Sequence, residues 1–261
     1  VLKGISTRFE AGMTNLIIGQ SGSGKTVLIK TLLGIHTPDS GSISFDGRVY
    51  SELSNDEKRA LRTEIGMVFQ GSALFDGMTV EENVGFPLKM FTNNTPKQIK
   101  ERVDFVIDRV NLTNAHQKRP SEISGGMQKR VAIARAIVNK PKYLFCDEPN
   151  SGLDPKTSLV IDKLIKEITV EYGMTTVVNT HDMNSVMEIG DKIIFMHQGR
   201  KEWEGTNKDI IFSKNEELNQ FIFASDFLQD AKDTAMSSMN NKFFIELGLW
   251  VNNWFMLTTR H

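Results

Sequence analysis

The sequence holds one cysteine, Cys146, so an internal disulfide is excluded and a reducing cytosol fits. It lacks an excess of either charge. Lys and Arg total 31 against 32 Asp and Glu, a net charge of −1, so no global basic field points to nucleic acid. There is no apolar run of the roughly 18 residues that mark a membrane-spanning helix, so the chain is expected not to cross a membrane alone. No secretory leader, internal repeat or low-complexity tract is visible. What is there is 261 residues, 39% hydrophobic and 24% charged, opening on Val1 in a strand-like segment. That composition suits one large α/β domain with a smaller subdomain.

The chain is organised around Gly19, Gln20, Ser21, Gly22, Ser23, Gly24, Lys25, Thr26 and Val27. The apolar run Leu16-Ile17-Ile18 before it reads as a short buried strand, and Val27 to Leu33 after it has helical length and periodicity, stopping at Gly34. An ordinary Gly/Ser turn would need neither flank. Strand, glycine-rich loop and helix together make this spacing a phosphate-binding loop. The glycines let successive N–H groups curl around a phosphate, and the helix N-terminus adds its dipole. Lys25 is expected to reach the β- and γ-phosphates and the Thr26 hydroxyl to ligate Mg²⁺, which makes ATP the expected ligand.

Along the chain, residues 1–10 read as a strand turning at Ala11-Gly12. Ser42 to Phe45 alternates as a half-buried strand and ends in the hairpin turn Asp46-Gly47. Ser54 opens a short helix, and Ile65 to Phe69 is a buried-type strand with Gln70 at its end. From 71 to 139 the pattern turns helical. Thr79 and Thr95 are placed as N-caps, and Ile99, Val103, Val106, Ile107 and Val110 recur at helical spacing. Strands resume at Tyr143–Cys146 and Thr175–Val178, separated by a helix from Pro155 to about Tyr172, which predicts a parallel sheet. Residues 193–196 and 202–204 read as a closing hairpin around Gly199.

Tyr143-Leu144-Phe145-Cys146 ends in Asp147 and Glu148. Ligands in open α/β sheets bind beyond the carboxyl ends of the strands, so Asp147 is a candidate for Mg²⁺ and Glu148 for the base that activates water. Ser124-Gly125-Gly126 opens a helix and forms a second anion cradle. A lone Ser-Gly-Gly is usually only a helix start. Beside a single P-loop, its economical role is to hold the γ-phosphate bound by a partner chain.

The P-loop, Gln70, Ile123-Ser124-Gly125-Gly126-Met127, Phe145-Cys146-Asp147-Glu148, Ser151-Gly152-Leu153-Asp154 and His181 occur in the order found in ABC transporter nucleotide-binding subunits, which residues 1–224 resemble. The resemblance implies a RecA-like P-loop NTPase core with a parallel sheet, an antiparallel β subdomain and a helical subdomain inserted at about 71–139. It implies an ATPase working as a head-to-tail homodimer with two composite ATP sites. Gln70 would contact the metal and water, Ser124, Gly125 and Gly126 would clamp the opposite γ-phosphate, Asp154 would link the two sites, and His181 would hold the γ-phosphate and water. The family's adenine-stacking aromatic is not found upstream of Gly19, where Phe9 stands too close to the loop. An upstream strand carrying that residue is expected to raise ATP affinity about three- to tenfold.

A narrower resemblance joins residues 69–88 and Met127 to the Mla-type lipid-transport ATPases. It implies phospholipid cargo, integral-membrane permease subunits, a lipid-binding envelope component and a peripheral position on the cytoplasmic face of the inner membrane. The alternative is the ATPase of an amino-acid or metal-ion importer, because motifs shared by all cassettes do not name cargo. Non-transport cassette proteins need two cassettes or a long coiled-coil insertion, and a P-loop kinase would lack the Ser-Gly-Gly cradle. The permease contact is expected at 71–88. Residues 225–261 form a tail of different character, in which 243–257 hold two of the three tryptophans; an interfacial helix there was weighed against a segment foreign to the family.

Overall fold

The computed structural model describes residues 1–222, so the expectations for the tail at 225–261 lie outside the described residues. The chain divides into two units, Val1–Ile210 and Ile211–His261.

The first unit is built on a six-stranded sheet in the order β4-β5-β6-β1-β7-β8. Its strands are β1 (Thr14–Ile18), β4 (Ile65–Val68), β5 (Tyr143–Asp147), β6 (Thr175–Asn179), β7 (Lys192–His197) and β8 (Arg200–Gly205). The first five in that order run parallel, and β8 pairs antiparallel with β7 as the expected closing hairpin. Parallel strands are covered on both faces and so read as continuous apolar runs. Accordingly Leu16, Ile17 and Ile18 are all fully buried. Ile17, Phe145, Val177 and Ile194 pack on one face with Leu28 and Ile29 of α1 (Lys25–Leu32).

The antiparallel subdomain expected from the sequence is a two-stranded hairpin, β2 (Ser44–Phe45) and β3 (Arg48–Val49), turned by Asp46 and Gly47 at positive φ. Helix α2 (Asn55–Thr63) follows, capped by Ser54 and Glu57 in a reciprocal capping box. Residues 1–10 are not a strand. Gly4 at φ 63° interrupts the extended run, and Lys3 N–H to Gly199 O (2.8 Å) is its only backbone bond to β8's turn among the described residues. Leu2, Ile5 and Phe9 instead pack, partly buried, against the core.

Between β4 and β5 lie three helices, α3 (Val80–Phe91), α4 (Pro96–Arg109) and α5 (Gly125–Ile137). Thr79 and Thr95 cap the first two through capping boxes with Glu82 and Gln98, as their spacing predicts. Of the apolar stripe on α4, Val103, Val106, Ile107 and Val110 are buried and Ile99 is half-buried. Helix α6 (Pro155–Tyr172) separates β5 from β6, and α7 (Met183–Ile189) separates β6 from β7. In the second unit, α8 (Glu216–Ile222) is capped by Asn215, whose Oδ1 accepts from Leu218 N–H at 2.7 Å.

Candidate active site

Parallel pairing brings the carboxyl ends of β1, β5 and β6 side by side, with Asp147 opposite Asn179 and Asn179 opposite Ile17. The loop 19–24 leaves β1 and enters α1. Gly19 adopts φ 144°, and a Cβ there would stand 2.2 Å from Met196 O, so only glycine lets the loop pass this close to β7. Gly24, at φ 104°, is the N-cap of α1. Lys25 is buried, and its ammonium donates to Gly19 O (2.8 Å) and Gln20 O (3.1 Å), so the side chain folds back across the loop. Burial pushes the Lys25 pKa down, while the charges of Glu148 and Asp147 oppose the shift. An anion in the loop would add to that opposition. Ser23 Oγ is buried beside the loop with no hydrogen-bond partner among the described residues, a polar atom that a phosphate could satisfy.

Thr26 Oγ1 donates to Asp147 Oδ1 at 3.2 Å, and Asn179 Nδ2 donates to both oxygens, at 3.3 Å to Thr26. Asn179 Oδ1 is itself buried and unpartnered among the described residues. Among those residues no cluster of three or more His, Cys, Asp or Glu exists. A hydroxyl beside one carboxylate nevertheless fits Mg²⁺, which takes one or two protein oxygens and completes its shell with phosphate and water. Cys146, next to Asp147, is buried and its thiol is pushed up by burial, so it is a core residue and not a nucleophile.

Glu148 follows at φ 49°, a left-handed conformation that costs a non-glycine residue about 1–3 kcal/mol and is typical of active sites. Its N–H donates to Asn179 O at 2.9 Å, which ties it to the end of β6. His181, just past β6, brings Nδ1 to 2.9 Å from both Glu148 oxygens.

The remaining predicted residues have other partners. Gln70 Nε2 donates to Ser151 Oγ at 3.3 Å. Ser124 caps α5 by accepting from Met127 N–H at 3.3 Å, and Gly125 and Gly126 form the first turn. A Cβ on Gly126 would meet Thr157 Cγ2 at 2.6 Å. Asp154 caps α6 through Thr157, whose hydroxyl and N–H hold its carboxyl below the usual range. Hydrogen bonds join Thr26, Asp147, Asn179, Glu148 and His181 to one another, and among the described residues none joins the cradle at 124–126 to Lys25, Thr26 or Glu148.

Sequence reasoning missed Asn179, Lys129 and a buried triad. Asn179 could have been found as the polar terminus of an apolar strand. Buried Lys129 donates to Gln70 O; burial lowers its pKa against the opposing charge of Glu148. Asn150 Nδ2 donates to Asp162 Oδ1 (2.7 Å) and Ser185 Oγ (3.1 Å), and Ser185 Oγ donates to Asp162 Oδ2 (2.8 Å). This triad pins the loop after Glu148 to α6 and α7, and no spacing in the sequence announces it.

A family model described as ABC transporter matches residues 2–151. A methionine import ATP-binding protein, MetN, of Haemophilus influenzae is 38% identical over 240 residues, covering 92% of this chain and 69% of its own length. The corresponding protein of Carboxydothermus hydrogenoformans is 42% identical over 210 residues, 80% of this chain and 62% of its own. Among solved structures, a dimeric ATP-binding cassette, MJ0796, in a post-hydrolysis state with ADP and Pi superposes with a TM-score of 0.72 at 33% identity, covering 79% of this chain and 90% of that one. CbiO1 of Clostridium perfringens, part of an ABC transporter complex, gives 0.75 at 33% identity, covering 85% and 88%.

Proposed function

The chain belongs to the ABC transporter family, and we propose that it is the ATPase subunit that powers a separate amino-acid importer. The cassette binds ATP with Mg²⁺ and hydrolyses it. The observation that carries the residue roles is the convergence of Lys25, Thr26, Asp147, Glu148 and His181 at the carboxyl ends of three parallel strands. The loop amides and Lys25 bind the β- and γ-phosphates. Thr26 and Asp147, with Gln70, hold Mg²⁺, which when bound withdraws charge from the phosphate oxygens. Glu148 takes the proton of the attacking water, and His181 orients that carboxylate and reaches toward the γ-phosphate.

The cradle of Ser124, Gly125 and Gly126, with Asp154, completes the site of a second copy, giving a head-to-tail homodimer. The dimeric form of a solved relative supports this reading. The permease docks at 71–88. Support comes from a groove of about 330 Å³ lined by Met67, Phe69, Phe75, Phe86, Pro87 and Phe91, with Phe91 58% exposed. Among the described residues no helix is long and apolar enough to cross a membrane, which fits peripheral attachment through the permease, at the cytoplasmic face of the inner membrane.

The relatives compared are named for methionine import, and they favour amino-acid cargo over the phospholipid cargo that residues 69–88 and Met127 suggested. Import also calls for a substrate-binding protein in place of a lipid-binding envelope component. The lipid reading retains those residues as its one supporting observation. Pull-down of the assembled complex, identification of the permease and ATPase assays in vesicles separate the two. Turnover stimulated by a methionine-loaded binding protein is the expected result. Co-purified phospholipid with lipid-stimulated turnover would move the assignment to the lipid transporters.

A further inference from the structure

The loop from β4 to α3 carries Gln70 at its start, and donors from outside the sheet meet its backbone carbonyls. Three of them are met by two cations of α5. Lys129 Nζ donates to Gln70 O. Arg135 donates through one guanidinium nitrogen to Ala73 O at 2.8 Å and through the other to Ser72 O at 2.7 Å. The rest of the loop is held by Asn83 of α3, fully buried, whose Nδ2 donates to Phe75 O, Met78 O and Thr79 O at 3.1, 3.3 and 3.0 Å. Every one of these side chains belongs to the helical insertion and none to the sheet.

The carbonyls that Arg135 grips belong to two successive non-glycine residues in the left-handed region, Ser72 at φ 62° and Ala73 at φ 47°. Such a conformation is sterically costly for a residue with a Cβ and persists only where the surroundings hold it. Arg135 supplies the hold. It is half-buried, its guanidinium lies 5.8 Å from the Phe75 ring, and Phe75 in turn packs on Phe86 at 4.8 Å. The planar fork of arginine presents two nitrogens in fixed geometry, one to each carbonyl, whereas a lysine would have to reach both from a single nitrogen.

We propose that Arg135 and Lys129 are positioning residues that strap the strained Gln70 loop to α5, so that Gln70 and the Ser124–Gly126 cradle at the other end of the same helix move as one body. This rests on the reading of Gln70 and the cradle as parts of the ATP site. A rigid link of this kind makes engagement of the second copy's γ-phosphate at the cradle present Gln70 to the nucleotide on its own P-loop, and the loop cannot relax independently. Strain held by the strap is released only if the strap fails, and the loop then carries Gln70 away from its working position.

The test is steady-state ATPase of the full chain carrying Arg135→Lys, alone and with Ala73→Gly. Loss of the fork is expected to lower kcat about tenfold with the KM for ATP within about twofold, because Gln70 is displaced while the P-loop is untouched. Glycine occupies the left-handed region without the Cβ penalty, so Ala73→Gly is expected to restore kcat at least about threefold in the Arg135→Lys background. A purely structural loss would lower the melting temperature and raise the KM for ATP along with lowering kcat, whereas displacement of Gln70 alone leaves the KM near that of the parent. Unchanged kcat in Arg135→Lys, or no recovery with glycine, overturns the proposal. Should Arg135→Lys fail to melt cooperatively, Lys129→Gln decides: a lowered kcat at constant KM supports the strap, and an unchanged kcat overturns it. If the parent chain itself neither binds nor hydrolyses ATP, the ATPase reading fails, and that outcome is distinct from either result with the variants.

Discussion

Nδ1 of His181 lies 2.9 Å from both carboxylate oxygens of Glu148, although the two residues end different strands. The contact fixes the carboxylate from one side. Its backbone is fixed from another, by the Glu148 N–H to Asn179 O bond and a left-handed φ. A carboxylate held in this way would serve the proposed role of base without losing side-chain freedom during the reaction.

Glu148→Gln keeps the shape and removes the base. ATP is expected to bind with affinity near that of the parent, while kcat falls about 10²–10⁴-fold. Equilibrium nucleotide binding alongside single-turnover hydrolysis checks both halves. Hydrolysis near the parent rate would remove Glu148 from the role of base.

Lys25→Ala acts on binding instead. The ammonium is buried against Gly19 O and Gln20 O and is the cation nearest the loop. Hydrogen bonds to charged groups contribute about 1.5–3 kcal/mol, so ATP affinity should fall about ten- to hundredfold. The measurement is the ATP-induced rise in melting temperature, which should largely vanish. A rise equal to that of the parent would contradict the assignment.

Asp162 makes stability depend on pH. Burial, with the charges of Asp182 and Glu188, raises its pKa from 3.8 to about 6, against the hydrogen bonds from Ser185 and Asn150. The folded state therefore holds the proton over a range where the unfolded chain has lost it. Stability falls as pH rises from about 4 to about 6, by up to about 3 kcal/mol from this group. Asp162→Asn cannot ionise, so relative to the parent it should gain stability across that window. The Ser185 hydroxyl can turn to accept from the new amide. Melting temperatures of both proteins from pH 4 to 7 should diverge steadily; parallel curves would assign the dependence elsewhere.

Much of this was legible in the sequence because the determinants are local. The P-loop announces itself through glycines between an apolar strand and a helix, and Thr79 and Thr95 cap helices through a partner three residues on. Residues 1–10 misled because loose alternation resembles a strand, whereas Gly4 breaks it and no partner strand lies alongside among the described residues. Asn179 and the Asn150–Asp162–Ser185 triad were hidden because their partners come together only through sheet order and helix packing. The strap from Lys129 and Arg135 was hidden for the same reason, since its acceptors are backbone carbonyls that no side-chain pattern encodes. The relatives' names favour the amino-acid alternative over the lipid cargo read from residues 69–88 and Met127, because motifs shared by all cassettes do not name cargo.

A composite ATP site is the central claim, and sedimentation of the Glu148→Gln protein tests it most directly. With Mg²⁺ and saturating ATP the variant should sediment as a dimer holding two nucleotides, and without nucleotide as a monomer. Adding Ser124→Arg should block the dimer while each chain still binds ATP at its own P-loop. A Glu148→Gln chain that stays monomeric when fully loaded with ATP would contradict the claim.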